Sequence, residues 1–223
     1  MNERYRAPVT EPRRELRRRF HKQLDDIDAK VVRLFALVRE GVAASSDALL
    51  AGDTEAAREL AGQDQLVDAL EADLEQITER ELLTQTPMAG DMRYLVSVLR
   101  VVPELERSGD LAEHIAQRAA NGLALRLTPT VRGLLEQMGA TCVELWRGAV
   151  DAWIDRDVDA AAALDAADDQ LDDLQDQLMI ELEKADIALV DALQMALVAR
   201  FYERLGDHAV HITERVRYLV AGT

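Results

Sequence analysis

The apolar positions Phe20, Leu24, Ile27, Val31, Leu34 and Val38 recur at spacings of four and three, which is the seam of one long amphipathic helix. The pattern predicts a helix from about Arg14 to Ala51, closed by Gly52, with Asp53 as the next N-cap. A second helix follows to about Leu83, and the stretch Thr84 to Gly90, with Pro87, breaks it. The third is expected from about Asp91 to Ala120, ending at Asn121 and Gly122. Thr128 and Pro129 form the N-cap and first turn of a fourth. Its seam, Val131, Leu135, Met138, Cys142, Leu145, Ala149 and Trp153, is unbroken. Asp157 is expected to cap a fifth helix, and a sixth runs from about Asp186 to Val220. Eleven Gly and 5 Pro in 223 residues leave too few turns for a many-stranded sandwich or barrel, so the chain reads all-α.

The helices repeat. Residues 53 to 74 lie on 157 to 178 at an offset of 104, matching Leu60 with Leu164, Asp64 with Asp168, Asp68 with Asp172 and Leu74 with Leu178. Further on the offset is 97, and Glu106-Arg107-Ser108-Gly109-Asp110 lies on Glu203-Arg204-Leu205-Gly206-Asp207. The change of seven equals the length of Thr84 to Gly90, a loop the second half is expected to lack. The organisation that follows is a tail over 1–13, a three-helix bundle over 14–124 and a second over 125–223.

Charge narrows the function classes. Lys plus Arg is 26 and Asp plus Glu is 42, a net charge of -16, and phosphate backbones and anionic lipid repel so acidic a body. No nucleic-acid partner is expected. The basic residues cluster early: residues 1 to 22 carry eight, including Arg13, Arg14, Arg17, Arg18, Arg19 and Lys22, against three acidic ones. This arm could touch a membrane or an acidic partner, or simply pair with the body. No apolar run approaches a membrane span, no apolar leader precedes the first helix, and the lone Cys142 sits on a seam. Direct membrane insertion is not expected, and a cytoplasmic location is.

Asp64 and Asp68, Asp168 and Asp172, Glu106 and Asp110, and Glu203 and Asp207 are each four apart, so each pair shares a helix face. His114 and His211 extend the last two rows by one step. Such oxygen and imidazole rows suit Fe, Mn, Zn or Ni better than Ca. At 100° per residue Asp207 lies about 240° round from Phe201, so the rows are expected to face a groove or solvent. The same spacing also fits a solvated acidic face paired with Arg107, Arg118, Arg204 and Arg215, and both readings stand. Asp64 and Asp168 fall where the seam would expect a hydrophobe, so each needs a partner. Gly109 and Gly206 lie inside helical runs and point to close helix approach. Pro103 is expected to kink the third helix. If metal binds, Glu113 makes the first row the more oxygen-rich neighbourhood, whereas His208 turns the second towards a nitrogen-preferring ion. There is no Gly-rich phosphate loop, GxSxG or HExxH, and no Glu has a His three residues later, so no catalytic machinery is expected.

The segments from Glu104 to Ile115 and from Tyr202 to Ile212 resemble the twin ExxxD signatures of the PhoU family, regulators of bacterial phosphate transport. Phe20-His-Lys-Gln-Leu24 and Asp64-Gln-Leu-Val-Asp68 also resemble it, and the resemblance covers about residues 14 to 221. It implies two three-helix bundles with pseudo-twofold symmetry, often dimeric. It also implies a cytoplasmic, non-enzymatic regulator, peripheral to the inner membrane through its partners, that couples the phosphate ABC transporter ATPase to a sensor histidine kinase. Some members bind metal clusters at the acidic motifs, which carries over to Glu106, Asp110, Glu203 and Asp207 and, with less force, to Asp64, Asp68, Asp168 and Asp172. His114 and His211 depart from the asparagine common at that step. A metal-handling helical protein, a store or a di-metal enzyme, is the alternative.

Overall fold

The computed structural model describes residues 11–62 and 65–222, with side chains from residue 15. The helices are α1 (Glu11–Ala51), α2 (Thr54–Leu60), α3 (Gln65–Thr84), α4 (Ala89–Ala120), α5 (Pro129–Asp155), α6 (Ala160–Lys184) and α7 (Leu189–Ala221), with a 3-10 turn over Leu123–Arg126. No strand occurs among the described residues. The expected tail over 1–13 lies outside the described residues as far as residue 10; α1 begins at Glu11.

The seams are buried as periodicity requires. Ile27, Val31, Leu34 and Val38 are at most 1% exposed, and every expected seam residue of α5 is buried, Cys142 included. Burial pushes the Cys142 thiol well above its ordinary range and leaves it inert. Gly52 takes φ 72 after α1, and the Asp53 carboxylate accepts from the N–H groups of Glu55 and Ala56, so that cap is as expected. Gly122 ends the first half at φ 73, and Thr128 caps α5 with Pro129 in its first turn.

Three expectations change. The second helix is two, α2 and α3, parted at Ala61 and Gly62, where the N–H groups turn back onto Ala57 and Glu59 carbonyls. Its counterpart α6 is continuous and starts at Ala160, after Asp157 has made a local turn onto the Asp159 N–H and left the cap position to Asp159. The seven extra residues of the first half are not a loop. Both hairpins turn through four residues, 85–88 and 185–188. From Leu74 to the end of α3 is ten residues, against six from Leu178 to the end of α6; from the start of α4 to Glu106 is seventeen, against fourteen from the start of α7 to Glu203. The insertion therefore lengthens both legs of the α3–α4 hairpin by about one turn, which keeps its faces in register. Pro103 sits inside α4 with helix on both sides.

The halves meet along α1, α4, α5 and α7. α1 runs parallel to α4: the Tyr94 hydroxyl donates to Asp28 (3.1 Å), and Gly41 lies against Ala112. α4 and α7 cross antiparallel, with Ser108 Oγ 2.8 Å from His208 Nδ1 and the Arg93 Nε–H donating to the Leu219 carbonyl. Tyr202 donates to Ser46 Oγ (2.9 Å), which donates to the Val42 carbonyl. Arg156, at φ 55 after α5, lays its guanidinium 4.7 Å over Trp153 and bonds Asp28 of α1.

Candidate carboxylate sites on the paired hairpins

In the second half α6 supplies Asp168 and Asp172, and α7 supplies Glu203 and Asp207. Gly206 sets their closeness: a Cβ there would lie 2.2 Å from Asp168 Oδ1 and 2.8 Å from Leu171 Cδ2. Without that methyl, α6 closes on α7 and draws Asp168 into the seam. Glu203 is 8% exposed, so the helical-wheel expectation that it faces a groove or solvent fails there; Asp172 does face solvent. Among the described residues Asp168 Oδ1 and Glu203 Oε2 are buried without a hydrogen-bond partner, while the other Glu203 oxygen takes the Arg200 guanidinium. Burial, then the negative charges of Asp207, Asp172 and Glu203, lift the Asp168 carboxyl to about 6. Burial and Asp207 also raise Asp172 and Glu203, with Arg200 opposing. The four carboxylates thus share one repulsive field.

The first half is looser. Asp64 lies outside the described residues. Asp68 is exposed on α3, and Glu106 and Asp110 are half-buried on α4. Around Asp68 and Asp110 stand Glu71 and Glu75, which sequence matching missed because α6 has no counterpart to them. Their signal was the row Asp68, Glu71, Glu75 at spacings of three and four. Burial, Glu75, Asp68 and Asp110 raise the Glu71 carboxyl, with Arg107 opposing. Gly109 is here too a point of close approach, its missing Cβ 3.2 Å from Val67 Cγ1.

The histidines go elsewhere. His114 stacks on Phe201 of α7, ring centroids 5.4 Å apart, and its buried Nδ1 has no partner among the described residues. His211 is exposed in a groove between α4 and α7. His208, expected as a seam filler or, if metal binds, as a nitrogen donor to the second row, is buried in the seam: it meets Ser108 through Nδ1 and approaches Glu104 (3.6 Å) through Nε2. Burial lowers its pKa. Glu113, expected to enrich the first row, accepts from Gln117 and lines a cavity of about 510 Å³ among α1, α3 and α4. Among the described residues, no three His, Cys, Asp or Glu side chains are arranged to hold a metal ion. The two orphaned oxygens of Asp168 and Glu203 are nevertheless the chemistry a cation satisfies, and the second-half set is the better fit.

A PhoU domain model matches residues 31–119 and 135–216, one copy for each half. The chain is 30% identical over 210 residues to the phosphate-specific transport system accessory protein PhoU homolog 2 of Mycobacterium tuberculosis, covering 93% of this chain and 99% of that one. It is 32% identical over 209 residues to the PhoU homolog of Aquifex aeolicus, covering 90% and 92%. In three dimensions it resembles the crystal structure of PhoU from Pseudomonas aeruginosa, with a TM-score of 0.86, 28% identity and coverage of 92% and 100%.

Proposed function

The chain belongs to the PhoU family, and from that premise we propose that it is an accessory regulator of phosphate transport, an adaptor between the phosphate transporter ATPase and a sensor histidine kinase. The observation that carries the reading is the match of both halves to the family model, together with relatives named as phosphate-transport accessory proteins over nearly their whole length. The role needs protein surfaces and no bond-making step. No helix among the described residues is long and apolar enough to cross a membrane, so the reading has its membrane contacts made by partners.

The α6–α7 hairpin supports such a contact. Leu189, Leu193 and Leu197 fall on one face of α7 and are 75%, 54% and 40% exposed, with Ile180 of α6 also exposed. Asp176, Glu183 and Asp186 are exposed on the same hairpin. An apolar face beside exposed acids fits a partner with apolar side chains inside a basic border, and we assign it to the ATPase.

We also propose a cation site on the α6–α7 hairpin. Asp168, Asp172, Glu203 and Asp207 would hold the ion, which would supply positive charge against their mutual repulsion. With the histidines turned away, the donors are oxygens, and Mn or Fe suits them better than Zn or Ni. The orphaned oxygens also keep the metal-handling alternative in play. Elemental analysis of protein purified without chelator separates the two: a few ions per chain without turnover fits the adaptor, and many ions or a turnover fits the alternative. The adaptor itself is tested by deleting the gene and measuring alkaline phosphatase or other starvation outputs in high phosphate. They should rise, and an unchanged output in a strain with no second copy overturns the reading. A homodimer, proposed with it, is read by sedimentation.

A further inference from the structure

We propose that the groove on one side of the α4–α7 crossing binds a phosphate-class oxyanion. The crossing has two sides that the offset of 97 relates. On one, His114 and Arg118 of α4 face Phe201 of α7; on the other, His211 and Arg215 of α7 face Glu104 of α4. The first side is closed. The Arg118 guanidinium lies 4.7 Å over the Phe201 ring and donates to the His114 carbonyl. With Glu104 where the other side has the ring, the second side is an open groove of about 470 Å³, walled by Ile212 and rimmed by Arg100, Arg107, Arg215 and His211.

Three guanidiniums against one carboxylate is unusual on a chain of net charge -16. Arg107 is held in place by the Pro103 carbonyl (2.9 Å) and Glu104 (3.3 Å). Among the described residues Arg100 and Arg215 have no carboxylate partner, although acids outnumber bases 42 to 26. Where α4 has Arg100, the equivalent α7 position is Leu197, so the charge belongs to the open side. Planar forks lining one groove from both helices suit an anion with several oxygens. Glu104 refines the choice, because a carboxylate repels a bare anion and accepts a hydrogen bond from one that still carries a proton. At neutral pH inorganic phosphate carries one and sulfate does not. This site is separate from the carboxylate rows and rests on its own geometry, so it can fail while the family reading stands.

The test is calorimetric titration of the full chain with inorganic phosphate, ADP and sodium sulfate at constant ionic strength. Saturable phosphate binding is expected, with sulfate at least tenfold weaker. Arg215→Gln and Glu104→Phe, the latter copying the closed side, should each weaken binding at least tenfold, and Arg118→Gln should leave it unchanged. Circular dichroism checks that each variant is folded; the exposed-side Arg215→Gln decides if Glu104→Phe is not. Saturation by phosphate alone supports the free ion, and saturation by ADP alone supports the phosphate end of a larger molecule. No saturation by either, sulfate binding as tightly as phosphate, or equal loss with Arg118→Gln overturns the proposal.

Discussion

The two halves share a motif and differ in how tightly they close on it. In the second, continuous α6 packs so closely on its neighbours that Gly206 of α7 has no room for a methyl, Leu164 reaches to 3.0 Å of the Cβ position of Gly148 on α5, and Asp168 is drawn into the seam. In the first, the break between α2 and α3 loosens the same contact. Leu60, the counterpart of Leu164, is only half-buried, and a cavity opens beside it. A repeated glycine therefore permits close approach without enforcing it. Continuity of the opposing helix decides whether acids four apart close on buried oxygens and repel one another or stay an open acidic face.

The sharpest way to break this contrast is at the glycines. Gly206→Ala should cost about 1–3 kcal/mol by overpacking. Gly109→Ala should change stability by about 1 kcal/mol or less, since the gain in helix propensity opposes a mild contact with Val67. Urea unfolding of both variants checks this, and equal losses would erase the distinction. The hairpin tips give the next effect. Leu189→Asp with Leu193→Asp should weaken the binding proposed for the transporter ATPase by about tenfold or more, roughly 1.4 kcal/mol. Met92→Asp, at the first-half position equivalent to Leu189, should leave it near wild type. Co-purification reads the outcome.

The smallest effect concerns protons. The Asp168 carboxyl is raised to about 6, so between about pH 4 and 6 the folded chain keeps a proton that the unfolded chain has released. Stability of the metal-free protein should therefore fall as pH rises through that window. Asp168→Asn should flatten this fall, and Asp68→Asn, at an exposed position, should not. Denaturation in the presence of a chelator, repeated across pH, compares the slopes.

Much of this was legible beforehand, because burial at spacings of three and four is a property of single helices. The seams, the Asp53 and Thr128 caps, and Gly122 all depend on neighbours in sequence. The break at Ala61 and Gly62 was hidden by the repeat itself, since Leu60 matches Leu164 as though the helix ran on. The seven inserted residues were countable but not placeable, being shared between two legs whose faces they leave in register. The burial of Glu203 and the stacking of His114 on Phe201 depend on which helix of the other half arrives opposite, and a helical wheel carries no such information. Glu71 and Glu75 align with Gln175 and Met179 in the repeat, so a motif shared by both halves does not contain them.

The parallel run of α1 beside α4 has one more consequence. Phe20 is the first buried residue of α1 among those whose side chains are described, while Arg17, Arg18, Arg19 and Lys22 around it are exposed. The α6–α7 turn, with Asp186, lies at the opposite end of the crossing, near Arg126, which pairs with Asp191. The exposed cations at the start of α1 and the apolar stripe at the α6–α7 tip therefore lie at opposite ends of the crossing, and a partner held at one leaves the other uncovered.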